Sequence, residues 1–180
     1  MFKPFFIILF LVSGLFSEIF YLQKPYQTRV YDSNKKISLI VTAFIPKNNV
    51  SIKKRGSFHY DPDLNKSLQA NNRCFYKSGF DRGHLIPDRW LDFNKSVLNT
   101  TYEFTNIVPE TPRMNRVIIR KVEKEIDQLK CNMKWVEIRV IPSDKRIKPN
   151  CPVIPAELIY KVWCDNRLVT YHITMETDSK

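Results

Sequence analysis

The sequence predicts an α+β fold with a mixed, largely antiparallel sheet, on three observations. Runs of β-branched and apolar residues suited to strands recur at 37–45, 135–141, 158–164 and 170–174. One stretch, from Asn115 onward, instead carries its apolar residues at helical spacing. The 180 residues contain no internal repeat, low-complexity tract or Gly/Ser linker, and 43% of them are apolar, which is enough for one domain with its own core.

Taken in order, residues 1–17 read as a signal peptide, with Lys3 ahead of the apolar run Phe5 to Val12 and small residues at Ser13, Gly14 and Ser17. The run is short of the roughly 20 apolar residues that a membrane span needs. Residues 18–180 are then the single folded domain. Ile37 to Ile45 reads as a strand buried on both faces and ends before Pro46, and Ser57 to Tyr60 is a weaker strand stopped by Asp61-Pro62. Lys77 to Leu85 contains Gly79 and Gly83, suited to a bend where backbone comes close to a ligand. Tyr102 to Thr105 alternates outward and inward, and Ile107-Val108 leads into a turn at Pro109. Counting about 100° per residue from Asn115, Ile119, Val122, Ile126 and Leu129 fall on its face, which places Asn115 on the buried side and Glu123 at the edge of the stripe. A buried amide needs a partner, since leaving it unpaired costs about 1–3 kcal/mol. Trp135 to Ile141, Leu158 to Cys164 and Thr170 to Thr174 complete the strands.

The formal charge of +11 gives the folded chain a positive field that attracts polyanions: nucleic acid, heparin or acidic membranes. Loss of residues 1–17 removes only Lys3 from that balance. Secretion into an oxidising compartment favours two disulfides among Cys74, Cys131, Cys151 and Cys164, with three connectivities open. No two cysteines have the spacing of a zinc knuckle. Glycosylation triplets at Asn49, Asn65, Asn94 and Asn99 agree with a secreted glycoprotein, and the last two suggest an exposed loop.

The segment Phe80-Asp81-Arg82-Gly83-His84-Leu85, then Thr105-Asn106, then Asn115 and Glu123, brings a histidine, two amides, an arginine and a carboxylate into one basic chain. That set fits metal-assisted cleavage of a phosphodiester, in which a histidine handles protons near neutral pH and oxygen ligands hold a hard cation. Each residue also has a plain structural use. Asp81 and Arg82 can form a local ion pair, Asn106 can cap the turn before Pro109, Asn115 can be a helix N-cap, and Glu123 can pair with a basic residue on the same helix. His59 and His172 are read as structural. Arg116, Arg120, Lys121 and Lys124 are read mainly as a solvated helix face.

The run Ser78 to Leu85, the run Tyr102 to Asn115, and a glutamate eight residues later together resemble the sugar-nonspecific DNA/RNA endonucleases of the ββα-metal fold. That group includes secreted bacterial nucleases and the mitochondrial endonuclease G type. Weaker similarity covers Arg55 to Asp61, Val153 to Pro155 and Tyr160 to Val162. The resemblance implies a strand, strand, helix metal motif at the sheet edge. It implies His84 as general base, Asn115 as the direct ligand of Mg2+, with manganese as an alternative, and Glu123 holding metal-bound waters beside Asp81. Arg82 would contact phosphate and Asn106 would act at the site by orienting His84. Arg55 and Arg116 are the further candidate substrate contacts. Cleavage would leave 5′-phosphates on DNA and RNA alike, through backbone contacts that read no sequence.

The chain departs from that pattern in four places. Glu110 stands where the family often has glutamine and is expected to add negative charge near the phosphate. Ile119 replaces a tryptophan, Asp127 stands where some members carry arginine, and Ile86 to Trp90 lacks the usual small residues. The expected function is therefore a secreted, Mg2+-dependent endonuclease of DNA and RNA, without stable membrane association once residues 1–17 are removed. The alternative, kept open by Glu110 and Asp127, is a catalytically degenerate secreted basic protein that binds nucleic acid or sulfated glycan. An enzyme on another phosphoester remains a further reading.

Overall fold

The computed structural model describes residues 18–47, 51–52 and 55–176. The expected signal peptide and Asn49 lie outside them. Eight strands are formed: β1 (Ile19–Lys24), β2 (Gln27–Asp32), β3 (Ile37–Ile45), β4 (Asp81–His84), β5 (Ile107–Glu110), β6 (Lys134–Arg146), β7 (Val153–Cys164) and β8 (Arg167–Thr174). Short helices α1 (Asn72–Phe75) and α2 (Lys95–Thr100) interrupt the loops, and a π-helical turn (Met114–Ile119) runs directly into α3 (Arg120–Gln128).

Six strands make one sheet in the order β1-β2-β3-β6-β7-β8, every pairing antiparallel. β4 and β5 pair antiparallel as a separate two-stranded ribbon. The fold is thus α+β as expected, but both sheets are wholly antiparallel, and the parallel pairing shrinks to one bridge between His59 and Glu103. Ser57 to Tyr60 supplies only that bridge, in which His59 N donates to the Tyr102 carbonyl and the His59 carbonyl accepts from Phe104 N.

The ribbon packs against the face of the large sheet, with β5 against β3 and β7, rather than at its edge. The reason is hydrophobic: all four residues of β5 are buried, and Val108, Leu85, Ile86, Trp90, Met114, Ile119 and Ile126 close over Val41, Val136, Ile138, Leu158 and Val162 in a single core. Tyr102 to Thr105 does not alternate outward and inward, since all four residues are buried beneath this layer. β3 is covered on one face only, and on the other Phe44 packs at a tilt against Trp135, which remains exposed like Trp163 and Leu168.

Two disulfides resolve the cysteine pairing. Cys74–Cys151 ties α1 to the entry of β7, and Cys131–Cys164 ties the exit of α3 to the end of β7. No helix among the described residues is long and apolar enough to cross a membrane.

Candidate active site

Strand geometry sorts the Asp81 to His84 segment into two sets, because neighbouring side chains on a strand point to opposite faces. Asp81 and Gly83 face the helix, while Arg82 and His84 face the loop that carries Phe58. Asp81 therefore forms no pair with Arg82. It takes a two-point contact from Arg116 (Nε–Oδ2 2.8 Å, Nη2–Oδ1 2.9 Å) and accepts from Asn115 Nδ2 at 3.2 Å. Arg82 donates to Asn72 Oδ1 at 2.7 Å and lays its guanidinium 4.3 Å above the Phe58 ring.

His84 is packed between two aromatic rings, with centroids 5.3 Å from Phe58 and 5.2 Å from Tyr102. Its Nε2 is buried without a hydrogen-bond partner among the described residues. Burial lowers the imidazole to about 4, against the opposing pull of Asp88 and with a smaller push from Arg82, so the ring is neutral at pH 7. Tyr102 donates to Asp88 Oδ2 at 2.5 Å and packs its ring on the Gly56 backbone, where an added Cβ would come within 2.6 Å.

Asn106 is fully buried and neither caps a turn nor reaches the ring of His84. Its Oδ1 accepts from Ile86 N (3.0 Å), its Nδ2 donates to the carbonyls of Ile86 (3.0 Å) and Thr101 (2.9 Å), and its own carbonyl accepts from Leu85 N (2.9 Å). With both side-chain polar atoms bonded to Ile86, and Nδ2 also to Thr101, Asn106 pins the backbone just after His84 to the Thr101 turn. An ion network lies beneath it. Arg29, fully buried on β2, bonds Glu103 Oε2 and the Thr100 carbonyl, both at 2.7 Å, and Lys24 bonds Asp61, which accepts from Thr105 at 2.7 Å.

Asn115 is inside the helix and not its N-cap. That position belongs to Thr111, whose Oγ1 accepts from Met114 N at 3.3 Å and whose carbonyl accepts from Asn115 N at 2.9 Å. Asn115 is half-buried rather than on a fully buried face. The π turn rotates the chain less per residue than an α-helix, so an angle counted at 100° across it is wrong. For the same reason Glu123, expected at the stripe's edge, is buried. Its partner is Arg89 (2.8 Å), 34 residues away, not a neighbour on the helix. Burial raises the Glu123 carboxyl, and Arg89 works against that shift. Arg55 lies at 3.4 Å from both Asp88 and Asp92, partly exposed.

A model of the DNA/RNA non-specific endonuclease family matches residues 15–171. The chain belongs to that family. Over 67 residues it is 30% identical to the mitochondrial endonuclease G of Bos taurus, a stretch covering 37% of this chain and 22% of that protein. Over 83 residues it is 29% identical to the mitochondrial nuclease EXOG of Homo sapiens, covering 44% and 23%. The aligned stretches thus span about a quarter or less of those relatives. A crystal structure of the EndoG/EndoGI complex superposes with a TM-score of 0.74 at 16% identity, over 93% of this chain and 77% of that one, which shows a shared fold.

Two departures from the family pattern acquire a physical account. Glu110 presents no charge to a ligand: it is buried, both carboxyl oxygens lack partners among the described residues, and burial together with nearby Glu123 and Asp81 pushes it well above the usual carboxylate range. The neutral acid it favours has the shape of glutamine. Gly83 is required across from it, because a Cβ there would lie 2.0 Å from Glu110 Cδ. Asp127 does not leave its region without a cation. With Glu123 it clasps Arg89 (Nε–Oδ2 2.9 Å) and also accepts from Trp90 Nε1 at 2.6 Å, so the cation is delivered by the segment after DRGH. Sequence reasoning missed Arg89 and Asp88. The signal for both was the unusual Ile86 to Trp90 segment itself.

No three His, Cys, Asp or Glu side chains are placed to hold a metal among the described residues, and all four cysteines are oxidised. A cation bound here would keep most of its water and take one or two protein oxygens, which is the habit of Mg2+. Asn115 fits that demand. Its Nδ2 is engaged by Asp81, which turns Oδ1 away from the carboxylate and leaves it to coordinate.

Proposed function

We propose that this protein is a secreted, Mg2+-dependent endonuclease that hydrolyses phosphodiester bonds of DNA and RNA without sequence specificity and leaves 5′-phosphates. The observation that carries the reading is the neutral, aromatic-packed His84 on the same four-residue strand whose other end holds Asn115 through Asp81. At about 3.3 Å per residue that strand sets the two ends roughly 10 Å apart.

His84 accepts a proton from the water that attacks phosphorus, a role open to an imidazole that is neutral at pH 7. Arg82, exposed and held over Phe58 by Asn72, binds the phosphate. Asn106 fixes the backbone after His84, and the Glu123–Arg89–Asp127 clasp fixes the helix against that same segment. Asn115, and Glu123 through water, would hold the Mg2+, which when bound would polarise the phosphate and, through one of its waters, supply the proton that the leaving oxygen takes up. Arg116 is paired with Asp81 and Arg55 with Asp88 and Asp92, so each would contact nucleic acid by exchanging those carboxylates for phosphates.

Secretion is part of the proposal. Two closed disulfides, and exposed Asn65 and Asn94 that spend Oδ1 on capping while leaving Nδ2 for a glycan, support it. The test is digestion of supercoiled plasmid and single-stranded RNA with Mg2+, with EDTA and by His84→Ala. Metal-dependent cutting of both, lost in the variant at unchanged thermal stability, is expected. Absent cutting by a folded protein that still retards plasmid would overturn the enzyme in favour of the polyanion-binding reading.

A further inference from the structure

Beside His84 lies a cleft of about 620 Å³, lined by Phe58, His59, Tyr60, Asn71, Asn72, Arg73 and Phe104. Its volume falls in the range of small-molecule sites. Its floor is aromatic: Phe104 is buried, with Tyr60 edge-on to it at 5.7 Å and Phe58 stacked at 6.4 Å. Its rim is basic: Arg82 covers Phe58, Lys66 lies 5.6 Å from the Tyr60 ring centroid, and Arg73 is exposed. Phe58 belongs both to this cleft and to the packing of His84, so the cleft is continuous with the catalytic strand.

Apolar rings explain nothing about phosphate, and cations explain nothing about an apolar surface. A ligand that is flat and aromatic, attached to a polyanion, satisfies both. We propose that the cleft is a nucleobase subsite, which takes one unstacked base of the strand flanking the scissile phosphate. This rests on the nuclease reading above and deepens it. Stacking on Tyr60 supplies affinity that tolerates any base, since every base has a π face. Asn71 and Asn72 spend Oδ1 on capping α1 and on Arg82, so their amide nitrogens are the donors available to base oxygens and ring nitrogens. Because the base must leave its stack to enter, single strands are bound in preference to duplex.

The experiment measures binding in EDTA, where no hydrolysis occurs, so that failure of the subsite and failure of the nuclease reading are seen separately. Short single-stranded oligodeoxynucleotides, each with one abasic position, are titrated against the intact oxidised protein. For the native protein, one abasic position weakens binding by about 5- to 150-fold, the range for loss of one base–aromatic stack. Tyr60→Ala weakens the fully based strand by a similar factor and is then indifferent to that position, whereas Tyr60→Phe retains the native pattern. Duplex binding changes less than twofold in both. Arg73→Glu, at an exposed position, weakens single strands independently of whether the Tyr60 variants fold. Additive effects of Tyr60→Ala and the abasic position, or equal losses on single strand and duplex, would overturn the subsite. Native protein that binds in this pattern but cuts nothing with Mg2+ would overturn the nuclease reading instead.

Discussion

Replacing Glu110 by glutamine removes a titrating group from a buried place without changing its shape, and the consequence is a change in how stability depends on pH. The unfolded chain releases the proton of Glu110 near the ordinary glutamate value of 4.5. In the folded protein burial raises the carboxyl well above that, so over the interval between the two values the folded state holds one more proton than the unfolded state. The slope of unfolding free energy with pH is then negative, about 1.4 kcal/mol lost per pH unit from this group alone. Stability from the raised acid is present in full below the unfolded value and is lost as pH rises through the folded one. Glu110→Gln has no such loss, so its advantage over the native protein should grow by about 1.4 kcal/mol for each unit from pH 5 upward, until the folded carboxyl ionises. Any constant cost of burying the amide, about 1–3 kcal/mol if its hydrogens find no partner, shifts the two curves without altering their divergence. Urea unfolding of both proteins at half-unit intervals from pH 5 to 8, under oxidising conditions, reads the difference directly. Parallel curves would refute the reasoning and mean that Glu110 is ionised in the fold.

Further outcomes follow from the same geometry. Gly83→Ala should cost about 1–3 kcal/mol by driving its methyl into the Glu110 carboxyl, and a second change, Glu110→Ala, should recover most of that in thermal melts, because the clash is with that side chain. Arg89→Ala leaves buried Glu123 without its cation and should lower stability by about 1–3 kcal/mol, whereas Arg89→Ala with Glu123→Gln should lose clearly less than the sum of the singles in a double-mutant cycle. With burial holding His84 at about 4, kcat/KM for a model phosphodiester should stay level from pH 7 to about 5 and fall below that. An acidic limb centred near the usual histidine value of 6.5 would contradict the buried setting. Removing the His84 ring should reduce kcat by roughly 10²- to 10⁴-fold, the usual share of a general base.

The sequence made some of this legible and hid the rest for identifiable reasons. β3, β6, β7 and β8 were readable because long β-branched runs are hard to satisfy in any other way. β1 and β2 were not, since Tyr21, Gln23, Lys24, Gln27 and Arg29 lack a strand's apolar alternation. Arg29 and Lys24 are buried there only because Glu103 and Asp61 come to them from distant loops. α1 and α2 are four and six residues long, below the length at which periodicity can declare a helix, and their signal was the asparagine cap that begins each. At the candidate site, Arg82, His84 and Asn115 stood out in the sequence because motif spacing carries chemistry. The partners that orient them, Asn72, Asp88, Arg89 and Phe58, come from other segments, where only tertiary packing decides which residue arrives.

The position of Arg89 bears on whether the departures at Glu110 and Asp127 describe a decayed site. Decay predicts unrelated losses, each leaving an uncompensated group. Instead Asp127 takes up Arg89 and the Trp90 indole, and Glu123 shares the same guanidinium. A half-buried ion pair still carries a desolvation cost at Glu123, so one that joins the helix carrying Asn115 to the segment following His84 is better explained by positioning than by stability. The departure at Asp127 is thereby reconciled with an intact arrangement, and at Glu110 burial removes the charge that favoured a mere binder. The remaining discriminator is chemical: a protein that only binds polyanions has no use for an imidazole kept neutral among aromatic rings, since a protonated histidine would bind phosphate better.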